Sequence, residues 1–212
     1  MIAPPRPADG PLVLADIGGY TGFLRTVRTA HADDAFANGN IPDAYGLVSS
    51  LLDGIVGRLV PPFTLSKLEG DAVFVYALGD EGIPTGDAFL PRLQACYDGF
   101  KALLDAAHDV WACRCDACMR IDQLELKFVV HAGPFVVQSI AGTTELVGPE
   151  VVIAHRLLKN EAAATLGTGA YALLTAAAVA RFAVPDRDAV PLVARYEHYE
   201  PVEASLFRLD GG

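Results

Sequence analysis

Apolar residues recur along this chain in two rhythms, one of short continuous runs and one of helical spacing. Residues 12–17 (LVLADI) form a compact apolar run closed by Gly18-Gly19, which predicts a buried strand. A turn or helix start follows at 20–28, and the polar stretch 31–40 predicts a loop. Val48, Leu51, Leu52, Ile55, Val56 and Leu59 then return every three or four positions, the signature of a helix with one buried face. Asn40, Pro42 and Asp43 suit its start, and Pro61-Pro62 stops it. Residues 63–68 and 72–78 predict a hairpin turning at Glu69-Gly70-Asp71. A second long helix is expected over 86–108. Strands at 124–131 and 135–140 should follow, paired around Gly133-Pro134, and then a helix over 151–158 after Gly148-Pro149. The remainder reads as a strand at 170–174, an Ala-rich helix at 176–182 and late strands at 195–200 and 204–209.

This order lacks the regular strand–helix alternation of a parallel sheet. It predicts an α+β fold, a largely antiparallel sheet with helices packed on one face. With 212 residues, of which 52% are hydrophobic, the chain can build one well-filled domain. That domain is expected over 11–209, with a Pro-rich flexible N-terminus at 1–10 and a small polar tail.

Acids outnumber bases 26 to 16, a formal charge of −10 that argues against nucleic acid as a partner. A small triphosphate stays open, because bound divalent cations supply the positive charge the chain lacks. The start Met1-Ile2-Ala3-Pro4-Pro5 carries no basic segment, and no apolar stretch of about 18 residues would span a bilayer. A cytoplasmic location, no membrane partner and reduced thiols are therefore expected.

Three motifs carry possible chemistry. In Asp16-Ile17-Gly18-Gly19-Tyr20-Thr21 an acid ends a strand and glycines lead into a helix. The carboxylate either holds a metal beside phosphate-binding N–H groups or caps the helix. Lys67-Leu68-Glu69-Gly70-Asp71 brings a second carboxylate to a hairpin turn, and a pair with Asp16 would suit a hard cation such as Mg²⁺. His131-Ala132-Gly133-Pro134, Glu145-Leu146-Val147-Gly148 and Ala154-His155-Arg156 form the third set, each ordinary by itself.

Taken in order over about 12–174, these motifs resemble the class III adenylate and guanylate cyclases, with their ferredoxin-like fold. They resemble in particular a bacterial cyclase-related family of unknown function with a Cys-x-Cys-x-x-Cys insert. The resemblance implies a head-to-tail homodimer acting on a nucleoside triphosphate. Asp16 and Asp71 of one protomer would bind two Mg²⁺ or Mn²⁺. Lys67 and Glu145 of the other would face the base, with ATP preferred unless the two merely pair with each other. Arg156 would approach the phosphates, and Gly19 and Thr21 would lie at the phosphate-binding helix start. One position departs from the pattern: Val152 stands where cyclases place a ribose-orienting Asn. Losing such a donor costs about 3 kcal/mol of transition-state stabilisation. The resemblance thus leaves three readings: a cyclase, an inactive nucleotide- or metal-binding relative, and a dimerising scaffold.

The insert at 111–120 holds Cys113, Cys115 and Cys118, three of the four cysteines. In a reducing compartment this spacing suits structural Zn²⁺, with a redox thiol cluster and unliganded cysteines as alternatives. Cys96, His108 and His131 are the candidates for a fourth ligand.

Overall fold

The structure, a computed structural model, describes residues 4–32, 38–111 and 113–210. Its centre is a pair of long antiparallel strands, β1 (Arg6–Gly18) and β4 (Glu125–Ile140), which stay in register from Arg6↔Val137 to Gly18↔Glu125. On the outer side of β1 lies the hairpin β2 (Thr64–Glu69) and β3 (Ala72–Tyr76). β4 is flanked on its other side by β5 (Thr143–Val147) and, parallel to it, β6 (Tyr171–Thr175). β8 (Val202–Arg208) and β7 (Val190–Ala194) complete the order β2-β3-β1-β4-β6-β8-β7. One pairing, β4 with β6, is parallel, so the sheet is mostly antiparallel as expected.

Strand alternation sends successive residues of β1 into two separate cores. Val13, Ala15 and Ile17 join α1 (Tyr20–Ala30), α2 (Asp43–Leu59), α3 (Phe89–Val110) and α6 (Ala176–Phe182). Leu12 and Leu14 face the other way, against α4 (Pro149–Arg156) and α5 (Ala162–Leu166). Helices thus cover both faces, not one. The single-face expectation missed how Val151, Ile153, Ala154 and Leu157 bury themselves on the second face. Each large side chain buried in these cores stabilises the fold by about 1.5–3 kcal/mol.

Three element boundaries differ from expectation. β1 begins at Arg6, so the Pro-rich start is strand from there onward; Pro11 stays in the sheet through its carbonyl, which accepts from the Ala77 N–H at 3.2 Å. Gly133-Pro134 is no turn, since both residues pair with β1, at Gly10 and Asp9, inside the uninterrupted β4. The chain reverses later, at Ala141-Gly142, both with positive φ. The late strand expected at 195–200 lies instead at Val190–Ala194, while Tyr196–Tyr199 forms a turn. Among the described residues no helix is long and apolar enough to cross a membrane.

Candidate functional site

At one end of the central strands the hairpin turn folds onto the end of β1. Ile17 donates its N–H to the Asp71 carbonyl at 3.1 Å, which brings Asp71 beside Asp16. The expected acidic pair is therefore adjacent in space. Burial, and then the Asp16 charge, pushes the Asp71 carboxyl above its ordinary range. Neither acid faces solvent alone. The ammonium of Lys127, directly across from Asp16 in register, lies 2.9 Å from the Asp16 carboxylate. Burial works against the Lys127 charge, but the Asp16 contact outweighs it and holds the amine above its ordinary range. Tyr171 follows on β6 opposite Lys127, its hydroxyl donating to Asn160 at 3.0 Å. Asp16, Lys127 and Tyr171 thus make one polar row across three strands.

The glycine pair then starts α1. Gly19 occupies the N-cap with φ +83°, a conformation that favours glycine, and no side chain caps the helix. Tyr20 opens the first turn with its phenol within electrostatic reach of Asp71, and Thr21 follows, exposed.

Lys67 and Glu145 meet at 3.0 Å, joining β2 to β5. The Glu145 hydrogen bond, first of all, holds the Lys67 ammonium above its ordinary range. Lys67 also lies 3.7 Å from Glu69, and Glu69 contacts His155 Nε2 at 3.1 Å. Four charged or polar side chains therefore link β5, β2 and α4 in sequence. Three residues before His155 on α4, Val152 is 42% exposed and borders a depression of about 320 Å³ with His155, Arg156 and Lys159. The Arg156 guanidinium does not point freely into this space. It lies over the rings of Tyr196 and Tyr199, 5.9 and 5.1 Å from their centroids, and donates to the Glu197 carbonyl.

His131 is buried at the centre of β4. Its Nε2 meets Glu150 at 2.6 Å and its Nδ1 meets the Thr175 hydroxyl at 2.9 Å. That explains the acid at the start of α4: Glu150 is anchored by His131 instead of standing free. Gly133 makes room for it, because a Cβ there would sit 2.9 Å from Glu150 Cγ.

A second cluster lies in the insert. His31 Nε2 is 3.6, 3.3 and 3.3 Å from the sulfurs of Cys113, Cys115 and Cys118, and all four ligand atoms lie within 4.8 Å of one another. The Cys118 N–H, first of all, pulls the Cys115 thiol down to about 6, while burial pushes Cys118 up. None of the three candidates for a fourth partner joins the group. Cys96 is buried in the helical core with its thiol pushed up to about 12, and His131 is engaged as described. His31 was hidden from sequence spacing because it precedes the insert by about 80 residues and joins it through tertiary packing alone.

These features sit within a recognisable lineage. A model of a family described as a protein of unknown function, DUF2652, matches residues 48–165, more than half of the chain. The chain belongs to this family. The chain is also 33% identical over 115 residues to an uncharacterized protein of Mycobacterium tuberculosis. That match covers 54% of this chain and 50% of the relative, so the chain spans about half of the relative's length. Solved structures extend the likeness to nearly the whole chain. The adenylyl cyclase CyaB of P. aeruginosa superposes with a TM-score of 0.62 at 15% identity, covering 96% of this chain and 95% of that one. The guanylyl cyclase Cya2 gives 0.56 at 15% identity, over 97% and 93%. A class III adenylyl cyclase-like ATP-binding protein from Pseudomonas aeruginosa gives 0.56 at 13% identity, over 85% of this chain and 36% of that one. This DUF2652 chain therefore has the class III nucleotidyl cyclase fold.

Proposed function

We propose that the chain is a cyclase-like nucleotide-binding protein that holds a nucleoside triphosphate between two head-to-tail copies of itself. The observation that carries this reading is the survival of both halves of such a site in one chain. Lys67 and Glu145 are joined at 3.0 Å, and Asp16 and Asp71 lie together at the end of β1. Lys67 and Glu145 now satisfy each other, so a base must open this pair; once opened, a donor and an acceptor would match adenine, whose edge offers a ring-nitrogen acceptor and an amino donor. Asp16 and Asp71 of the facing copy supply the hard oxygen ligands that suit Mg²⁺ or Mn²⁺. Such an ion would offset the triphosphate charge in a protein that is strongly acidic. The donor set fits one cation better than two, because Lys127 already claims a share of Asp16.

Binding is favoured over turnover by three features. Val152 offers no hydrogen bond where the ribose would need orienting. Arg156 is held by Tyr196 and Tyr199. Lys127 places a fixed positive charge against one of the two acids. Cyclisation of ATP stands as the second reading, carried by the juxtaposition of Asp16 and Asp71.

Calorimetric titration of the full chain with ATP in the presence of Mn²⁺ tests the proposal. Saturable binding should weaken at least about tenfold in Asp16→Ala and in Lys67→Ala, since each removes a charged partner of the ligand. Binding that ignores both substitutions, or no binding at all, contradicts it. Release of pyrophosphate with a cyclic product in the same mixture would select the second reading.

A further inference from the structure

We infer that His31, Cys113, Cys115 and Cys118 form a closed Zn²⁺ site that clamps the far end of α1 to the insert. This inference is independent of any nucleotide.

The geometry is nearly that of the bound state. Zinc–sulfur bonds of about 2.3 Å and zinc–nitrogen bonds of about 2.0–2.1 Å at tetrahedral angles put each sulfur about 3.6 Å from the nitrogen. The three observed separations are 3.6, 3.3 and 3.3 Å. The four ligand atoms lie within 4.8 Å of one another, against the roughly 3.6–3.8 Å of a tetrahedral zinc site, a difference of the size that side-chain torsions absorb. The donors are soft thiolates with one imidazole, the set that selects zinc over hard cations. All four positions are filled by protein, so the site is structural and leaves no place for a reacting water. The Cys118 N–H also points at Cys115 Sγ from 3.5 Å, which favours the thiolate that a metal requires.

Three separate segments contribute. His31 ends α1, Cys113 and Cys115 follow α3, and Cys118 opens the 3-10 turn Cys118–Gln123. The insert is braced independently by Arg114, which donates to the His108 and Asp109 carbonyls at the end of α3. α1 is short. It has 11 residues, buries only Phe23 and Val27, and lacks a side-chain cap. A depression of about 320 Å³ separates its first turns from Arg120, Gln123 and Leu124. A helix this short is marginal without tertiary support. The metal supplies that support at its C-terminal end.

The test begins with full-length protein purified without metal-affinity steps. Elemental analysis should give about one zinc per chain, and a chelator should lower Tm because the metal binds only the folded state. Replacement by Co²⁺ should give the intense visible bands of a tetrahedral ion and a near-ultraviolet thiolate charge-transfer band. His31→Ala should weaken Co²⁺ binding by more than about a hundredfold, beyond the roughly 10–100-fold that loss of a supporting residue outside the ligand set usually costs. His31→Cys should restore binding with the visible bands moved to lower energy, and His108→Ala should change nothing. If His31→Ala fails to fold, the wild-type and His31→Cys spectra decide. Octahedral Co²⁺ spectra, metal-free protein with three readily alkylated thiols, a Cys115–Cys118 disulfide, or an unaltered spectrum in His31→Ala would each overturn the inference.

Discussion

At the scale of single residues, Lys127 shapes the candidate site more than any motif residue does. Its ammonium occupies space beside Asp16 that a divalent ion would share, so the two positive charges compete for one carboxylate. Lys127→Met should raise Mn²⁺ affinity about fivefold, the equivalent of about 1 kcal/mol for a part-buried ion pair. The metal-free variant should be less stable than wild type, and Mn²⁺ should raise its Tm by more. Isothermal titration and thermal melts check both; unchanged Mn²⁺ affinity would show that Lys127 does not compete. Asp71 gives a prediction of opposite sign. Its folded-state proton affinity is raised, so its contribution to stability is present below the ordinary carboxylate range and lost as pH rises through the raised value. At neutral pH the ionised group opposes folding. Asp71→Asn should therefore raise Tm in chelator at pH about 7, with the gain vanishing toward pH about 3. A Tm lowered at neutral pH would contradict this.

At the scale of elements, periodicity disclosed most of the architecture. α2 and α3 followed their apolar spacing, and the β2–β3 hairpin turns where Glu69-Gly70-Asp71 said it should. One misreading has a plain cause: a local signal was overruled by a neighbouring strand. Gly133-Pro134 carries turn chemistry, yet β1 pairs through it and β4 continues without a break. The glycine serves a contact, the approach of Glu150, which His131 holds at 2.6 Å. Gly133→Ala should then destabilise the protein by about 1–3 kcal/mol through overpacking, as read by denaturant unfolding. A neutral effect would mean that Glu150 moves aside at no cost. Asp16, Asp71, Lys67 and Glu145 were legible because each sits in a local motif. Lys127 and His31 were not, since only sheet register and helix docking bring them to their partners.

At the scale of the molecule, the proposed half-site for a base adjoins exposed apolar residues. Val147, two residues beyond Glu145 on β5, and Val152 on α4 are each 42% exposed. A second copy covering this surface would bury them and bring its own Asp16 and Asp71 to the ligand, the isologous arrangement of a two-fold dimer. Such a composite site has a consequence that no site contained in one chain shares. Asp16→Ala and Lys67→Ala each spoil every site in their own homodimers. Once the two variants are mixed and exchange subunits, each mixed dimer regains one site with all its residues. The decisive measurement is the number of Mn²⁺–ATP sites in that equilibrated mixture, compared with each variant alone. Random exchange makes half of the dimers mixed, so about a quarter of the wild-type sites should reappear at wild-type affinity. A mixture that binds no better than its components would contradict the shared site.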